Sequence, residues 1–92
     1  MGIRATGLMD HSDLVCDSDK PILLGARLVL DSDDDTLEIY DHASGPEYGT
    51  VIALLDKDVP FILFDKMDVF RCNLGLYANL TNGGKYIVYY DV

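Results

Sequence analysis

Apolar and polar residues alternate with a period of two in short runs along this chain, and Gly, Pro, Asn or Asp interrupts them at the spacing of about eight to twelve residues that marks all-β sandwiches and barrels. The alternation predicts strands at Leu14–Cys16, Leu23–Leu30, Thr36–His42, Thr50–Leu55, Phe61–Phe64, Asp68–Cys72, Leu76–Thr81 and Tyr86–Tyr90. One run, Val51-Ile52-Ala53-Leu54-Leu55, does not alternate and fits either a helical turn or a strand buried on both faces. Thr50 and the β-branched pair Val51-Ile52 favour the strand. The expected fold is therefore all-β, a single compact β-sandwich, jelly-roll or Ig-like, of about seven to eight short antiparallel strands. Residues 1–12 read as an N-terminal arm and 13–92 as the one domain.

The connections carry the next level of prediction. Asp31-Ser32-Asp33-Asp34-Asp35 lies between two alternating segments and reads as a solvated hairpin turn, and Ala43 to Gly49 reads as a second turn-rich loop. Thr81-Asn82-Gly83-Gly84 offers two-residue loops suited to positive φ, so the last two strands read as a hairpin. In that hairpin one face carries Leu76, Ala78, Leu80, Ile87 and Tyr89, and the other carries Tyr77, Asn79, Tyr86, Val88 and Tyr90. The aliphatic set is the better core. The tyrosine set is then left for a partner, since tyrosine joins apolar area to a hydroxyl that tolerates hydration. Tyr77, Tyr86, Val88 and Tyr90 are the expected contact residues, with Ile3, Leu8 and Met9 of the arm beside them. A seven-residue, two-strand face covers only ~230 Å² in plan, well under the ~800 Å² per partner of a standard interface, so the arm or neighbouring strands must contribute.

Composition narrows the classes of partner. The 92 residues carry sixteen acidic and seven basic side chains, a net charge of −9, which disfavours both a phosphate backbone and an anionic membrane. The start of the chain is too short and mixed for a signal peptide, and no apolar stretch is long enough to span a bilayer, so the expected site of synthesis is the cytoplasm. In a reducing compartment Cys16 and Cys72 are expected to be free thiols.

Signals for chemistry are weak. His11-Ser12-Asp13 has the residue types of a hydrolase triad, but sequence neighbours on an extended chain point to opposite faces. His42 beside Asp41 reads as a solvent-facing histidine near a turn. The cysteines and histidines lack paired metal-ligand spacing. The Asp31 to Asp35 run lacks the glycine and the closing glutamate of a calcium loop, although capture of calcium between subunits stays open. No Gly-rich phosphate loop is present. No catalytic residue, metal site or cofactor is assigned, and the expected protein is not an enzyme.

Two stretches resemble a known group. Leu37-Glu38-Ile39-Tyr40-Asp41-His42-Ala43-Ser44-Gly45 followed by Gly49-Thr50-Val51-Ile52-Ala53-Leu54, and Cys72-Asn73-Leu74-Gly75-Leu76-Tyr77-Ala78 followed by Tyr86-Ile87-Val88-Tyr89-Tyr90, are similar to segments of small all-β virion proteins of tailed bacteriophages. Val15-Cys16 and Leu24-Gly25 fit the same pattern, so the resemblance spans roughly residues 14 to 90. It implies a structural virion protein, made in the host cytoplasm and located in the virion. The favoured role is capsid decoration or cement, with a neck or tail component as an alternative. Its implied partners are the major capsid protein or another virion protein and further copies of itself, a trimer being favoured. The long acidic turn and the Pro46-Glu47-Tyr48 insertion depart from the pattern. A different class is a small acidic inhibitor that mimics nucleic acid, for which the net charge speaks.

Overall fold

The computed structural model describes residues 3–16, 21–42, 50–63, 70–72 and 75–91. These form nine strands: β1 (Ile3–Ala5), β2 (Asp13–Cys16), β3 (Ile22–Val29), β4 (Thr36–Asp41), β5 (Thr50–Leu55), β6 (Phe61–Leu63), β7 (Phe70–Arg71), β8 (Leu76–Thr81) and β9 (Lys85–Asp91). Expected strands and observed ones coincide to within a few residues, and Val51–Leu55 is strand. The expected loop at residues 43–49 lies outside the described residues, as do parts of the expected strands at 64 and 68–69.

All pairing is antiparallel, in two sheets. One runs β1-β9-β3-β6, with the two-residue β7 continuing the β6 edge against β3; the other runs β2-β8-β4-β5. With β7 set aside, strands pair first with last and inward from there: β1 with β9, β2 with β8, β3 with β6, β4 with β5, while β9–β3 and β8–β4 join the pairs into sheets. That order is a jelly roll, the first of the two architectures expected.

The connectivity corrects both hairpins. β3 and β4 lie in different sheets, and so do β8 and β9, so residues 30–35 and 82–84 each carry the chain across the sandwich. The two crossings meet. Asn82, at φ 76°, donates from Nδ2 to the Asp34 carbonyl at 2.7 Å. Asp35 is 1% exposed, and its Oδ2 accepts the Asp31 N–H at 2.7 Å and the Ser32 N–H at 2.9 Å, while the Ser32 hydroxyl donates to Oδ1 at 3.2 Å. Asp35 is thus the buried clasp of a corner and not part of a solvated turn; Asp31, Asp33 and Asp34 are the exposed acids of the run. Backbone N–H groups cluster on the carboxylate because the chain reverses within four residues, which brings the Asp31 and Ser32 amides back onto the Asp35 side chain.

The core lies between the sheets. Leu37, Ile39, Ala53, Leu55, Leu76 and Ala78 face inward from one sheet, and Leu23, Ala26, Leu28, Tyr86 and Val88 from the other. A bulge between Leu23 and Gly25 shifts the phase of β3, so that Leu23 and, beyond it, Ala26 and Leu28 all reach the interior opposite Tyr90, Val88 and Tyr86. The β8 face was correctly assigned from sequence, whereas that of β9 is inverted: Tyr86 and Val88 are fully buried and Tyr90 packs against the core. Ile87 and Tyr89 point outward, half-buried.

Residues 3–9 of the expected arm lie along β9. β1 pairs with β9 through Ile3↔Asp91, Arg4↔Tyr90 and Ala5↔Tyr89. Beyond β1, the Thr6 N–H donates to the Val88 carbonyl at 3.1 Å, and Met9 and Tyr86 exchange N–H···O bonds at 2.8 Å in each direction. Cys16 and Cys72 are buried free thiols.

Candidate interaction surface

Strand register places the outward side chains in rows across the first sheet. Ala5, Tyr89, Gly25 and Leu63 form one row over four strands. Ile87, Arg27 and Phe61 form the next, and Ile3, Asp91 and Ile22 flank it on the other side. Ile3 is 77% exposed, Leu63 68% and Phe61 48%. The centre of the β3 row is glycine because a Cβ there would stand 2.6 Å from the Ile62 carbonyl oxygen. Arg27 lies 5.6 Å from the Phe61 ring centroid, a cation–π contact that lays the guanidinium along the apolar surface. With β1 and β6 only three residues long, the face covers about 250 Å² in plan, and Arg27 and Asp91 share it with the apolar side chains, so it is a small patch that a partner surface would have to extend.

The second sheet also shows an outward row, Leu14, Tyr77, Tyr40 and Val51, but it is bordered by polar groups already engaged with one another. The Ser12 hydroxyl donates to Asn79 Oδ1 at 3.1 Å, and Asn79 Nδ2 donates to Glu38 at 3.2 Å. Burial raises the pKa of the Tyr40 phenol, and the adjacent Glu38 carboxylate adds to the rise.

The seven expected contact residues are dispersed by this architecture. Tyr77 sits on the outer face of the second sheet and Ile3 on the edge of the first, and Leu8, 57% exposed, lies in the connection between β1 and β2. Tyr86, Val88 and Tyr90 belong to the interior, and half-buried Met9 is held on Tyr86. Sequence reasoning missed Ile87 and Tyr89, together with Phe61 and Leu63. The first two were the other half of the β9 alternation, and reversing the phase of that one strand recovers them.

Between the edges of β1 and β2 the sandwich opens into a cleft of ≈ 240 Å³ lined by residues that include Thr6, Met9, Asp13, Tyr86 and Tyr90. The Tyr86 hydroxyl is committed to the His11 carbonyl at 2.7 Å, and burial pushes its pKa up to about 12. On the rim, His11 Nδ1 stands 3.0 Å from Asp10 and Nε2 3.5 Å from Asp13. The hydrogen bond to Asp10 is the main cause of a raised His11 pKa. Ser12 bonds to β8 instead of to His11: its hydroxyl accepts the Leu80 N–H at 2.8 Å, so His11-Ser12-Asp13 does not assemble as a triad. Among the described residues no group of three or more His, Cys, Asp or Glu side chains is placed to hold a metal ion, and no helix is long and apolar enough to cross a membrane.

Comparisons with protein-family models, with curated proteins and with solved structures gave no match.

Proposed function

We propose that this protein is a structural subunit of a tailed-phage virion, a decoration or cement protein of the capsid that works by protein–protein contact. The observation that carries this reading is the apolar outer face of the first sheet, exposed among the described residues, with Tyr89 near its middle, Leu63 and Phe61 on its β6 edge and Ile3 and Ile87 beside it. The resemblance of its short motifs to those of phage virion proteins, and a jelly-roll strand order of the kind found in viral capsid domains, support it. In this arrangement one sheet face is left to meet a lattice while the exposed acids gather at one end of the sandwich.

The test is mass spectrometry of purified particles encoded with this gene. Many copies per particle mean decoration of the capsid, and a few mean the neck or tail. Absence from the particle overturns the proposal. In the same preparation, Leu63→Asp combined with Tyr89→Asp removes the protein from the particle while its circular dichroism stays that of the folded chain.

A second reading keeps a specific observation in its favour. The exposed Asp31, Asp33 and Asp34 and the β5–β6 turn bearing Asp56 and Asp58 gather at one end of the sandwich, since β4 begins where β5 ends. An acidic pole of this kind is what a nucleic-acid mimic presents to a DNA-binding enzyme. Gel-shift competition against a panel of such enzymes decides it: no effect at micromolar protein removes the mimic.

A further inference from the structure

We infer that β5 is a self-pairing edge, and that two copies of this chain join their four-stranded sheets across a two-fold axis between Ile52 and Ala53. The inference does not depend on the virion reading, since it rests on the β5 edge and takes a second copy of this chain as partner, although Phe61 and Leu63 of β6 belong both to this flank and to the face described above. β5 ends its sheet among the described residues. Its six residues, Thr50-Val51-Ile52-Ala53-Leu54-Leu55, contain no charge, proline or glycine, the features by which natural sheets usually blunt an open edge.

The bulge in β5 determines which partner fits. Ala53 opposes Ile39 and Val51 opposes Tyr40, leaving Ile52 as the extra residue. Ile52 and Ala53 consequently both lie toward the core, while Val51 and Leu54 are 46% and 51% exposed on the outer face. From Val51 to Leu54 the order is out, in, in, out, the same in both directions. An antiparallel two-fold pair places opposite residues on one side of the joint sheet. With the axis between residues 52 and 53, Val51 meets the second copy's Leu54 on the outer face, and Ile52 meets its Ala53 on the inner. A regularly alternating strand centred there would pair inward with outward. Here the bulge, often a device that spoils an edge, restores the match.

Size and charge set the strength. β5 and β6 are edge strands of the two sheets on one flank, joined by the short turn from Asp56, whose Oδ1 accepts the Asp58 and Val59 N–H groups at 2.9 and 3.0 Å. Val51, Leu54, Val59, Phe61 and Leu63 are five of the eight large apolar side chains exposed among the described residues. A flank six residues long and two sheets thick offers ~400 Å² per copy, about half of the ~800 Å² of a standard interface. The dimer is therefore weak, with a Kd in the micromolar range or above, and because each chain carries −9 it tightens as salt screens the repulsion.

Sedimentation velocity of the full chain over a concentration series, at low and at physiological salt, is the first measurement. A monomer–dimer equilibrium that strengthens with salt is expected, and Leu54→Lys should weaken it at least tenfold while leaving the circular dichroism unchanged. The register is read by oxidation: a mixture of Val51→Cys and Leu54→Cys chains should give a disulfide-linked dimer and either variant alone should not, the native thiols being buried. A chain that stays monomeric throughout overturns the inference. So does a dimer, or a trimer, that survives Leu54→Lys or links without the mixed pair.

Discussion

Gly84 lies so close to Val29 that a Cβ added to it would come within 2.6 Å of the Val29 carbonyl oxygen and 3.0 Å of the Asp35 carboxylate. Its φ of 85° lies in the left-handed region that disfavours other residues. The crossing from β8 to β9 therefore depends on this glycine for both conformation and space. Gly84→Ala should lower the Tm by several degrees. Gly7→Ala, at φ 77° with nothing within 4 Å of the added Cβ, should lower it less, and thermal melts of the two variants separate strain from collision.

Acidification tests the clasp. Hydrogen bonds from the Ser32 backbone, and then from Asp31, hold the Asp35 pKa below its ordinary 3.8. A carboxylate depressed in the folded state contributes its stability in full above the unfolded value, and that contribution is lost as pH falls through the folded one. The wild-type chain should lose stability between about pH 4 and the lower folded pKa. Asp35→Asn should be less stable at neutral pH and flatter across that acidic window, as denaturant titrations at each pH will show.

Tyr86 should respond as a core residue. Removing its hydroxyl in Tyr86→Phe breaks the bond to the His11 carbonyl and should cost about 0.5–1.5 kcal/mol, whereas Tyr86→Ala should cost ~3–5 kcal/mol by analogy with other buried aromatics. Urea unfolding measures both. A Tyr86→Ser chain is expected to unfold outright instead of reporting on an interface.

Thiol reactivity offers an independent measure of packing. Cys72 is fully buried, and desolvation, with Asp41 adding to it, pushes its pKa up to about 12. An aromatic disulfide reagent at mildly alkaline pH should leave both cysteines unmodified in the folded chain and titrate both in denaturant.

On the outer face of the first sheet the expectation is reversed. Leu63→Glu should change stability by no more than about 0.5 kcal/mol, because the side chain is 68% exposed. A larger loss in chemical denaturation would mean that Leu63 is part of the monomer's own packing and not a contact held for a partner.

Strand positions were legible in the sequence because period-two alternation runs through β4 and β8, and because Thr50 and the β-branched pair Val51-Ile52 favour strand where the alternation fails. Connectivity was not. A Gly-Gly turn serves a hairpin and a crossing between sheets equally well, and the difference lies in Asp35 and Val29, some fifty residues away along the chain. Alternation in β9 separates Tyr86, Val88 and Tyr90 from Ile87 and Tyr89, but it does not say which set faces inward; that follows from pairing with Leu28, Ala26 and Leu23 of β3. The β3 bulge adds a phase change that no periodicity reveals. The candidate surface was consequently anticipated in kind, a sheet face beyond what the core needs, and displaced by one residue along β9.

The pairing of β1 with β9 also governs how the molecule is made. β9 stands between β1 and β3, so the five-stranded sheet has no centre until residues 85–91 have left the ribosome. β8, which supplies the interior of the other sheet, emerges only shortly before. Neither sheet of the sandwich can thus close before β8 and β9 are present, and the contacts that close the first sheet join β1 to β9. Contacts of such wide sequence separation make folding slow. Until β8 and β9 are in place, the uncharged β5 segment stays open to neighbouring chains, the condition in which unpaired strands aggregate.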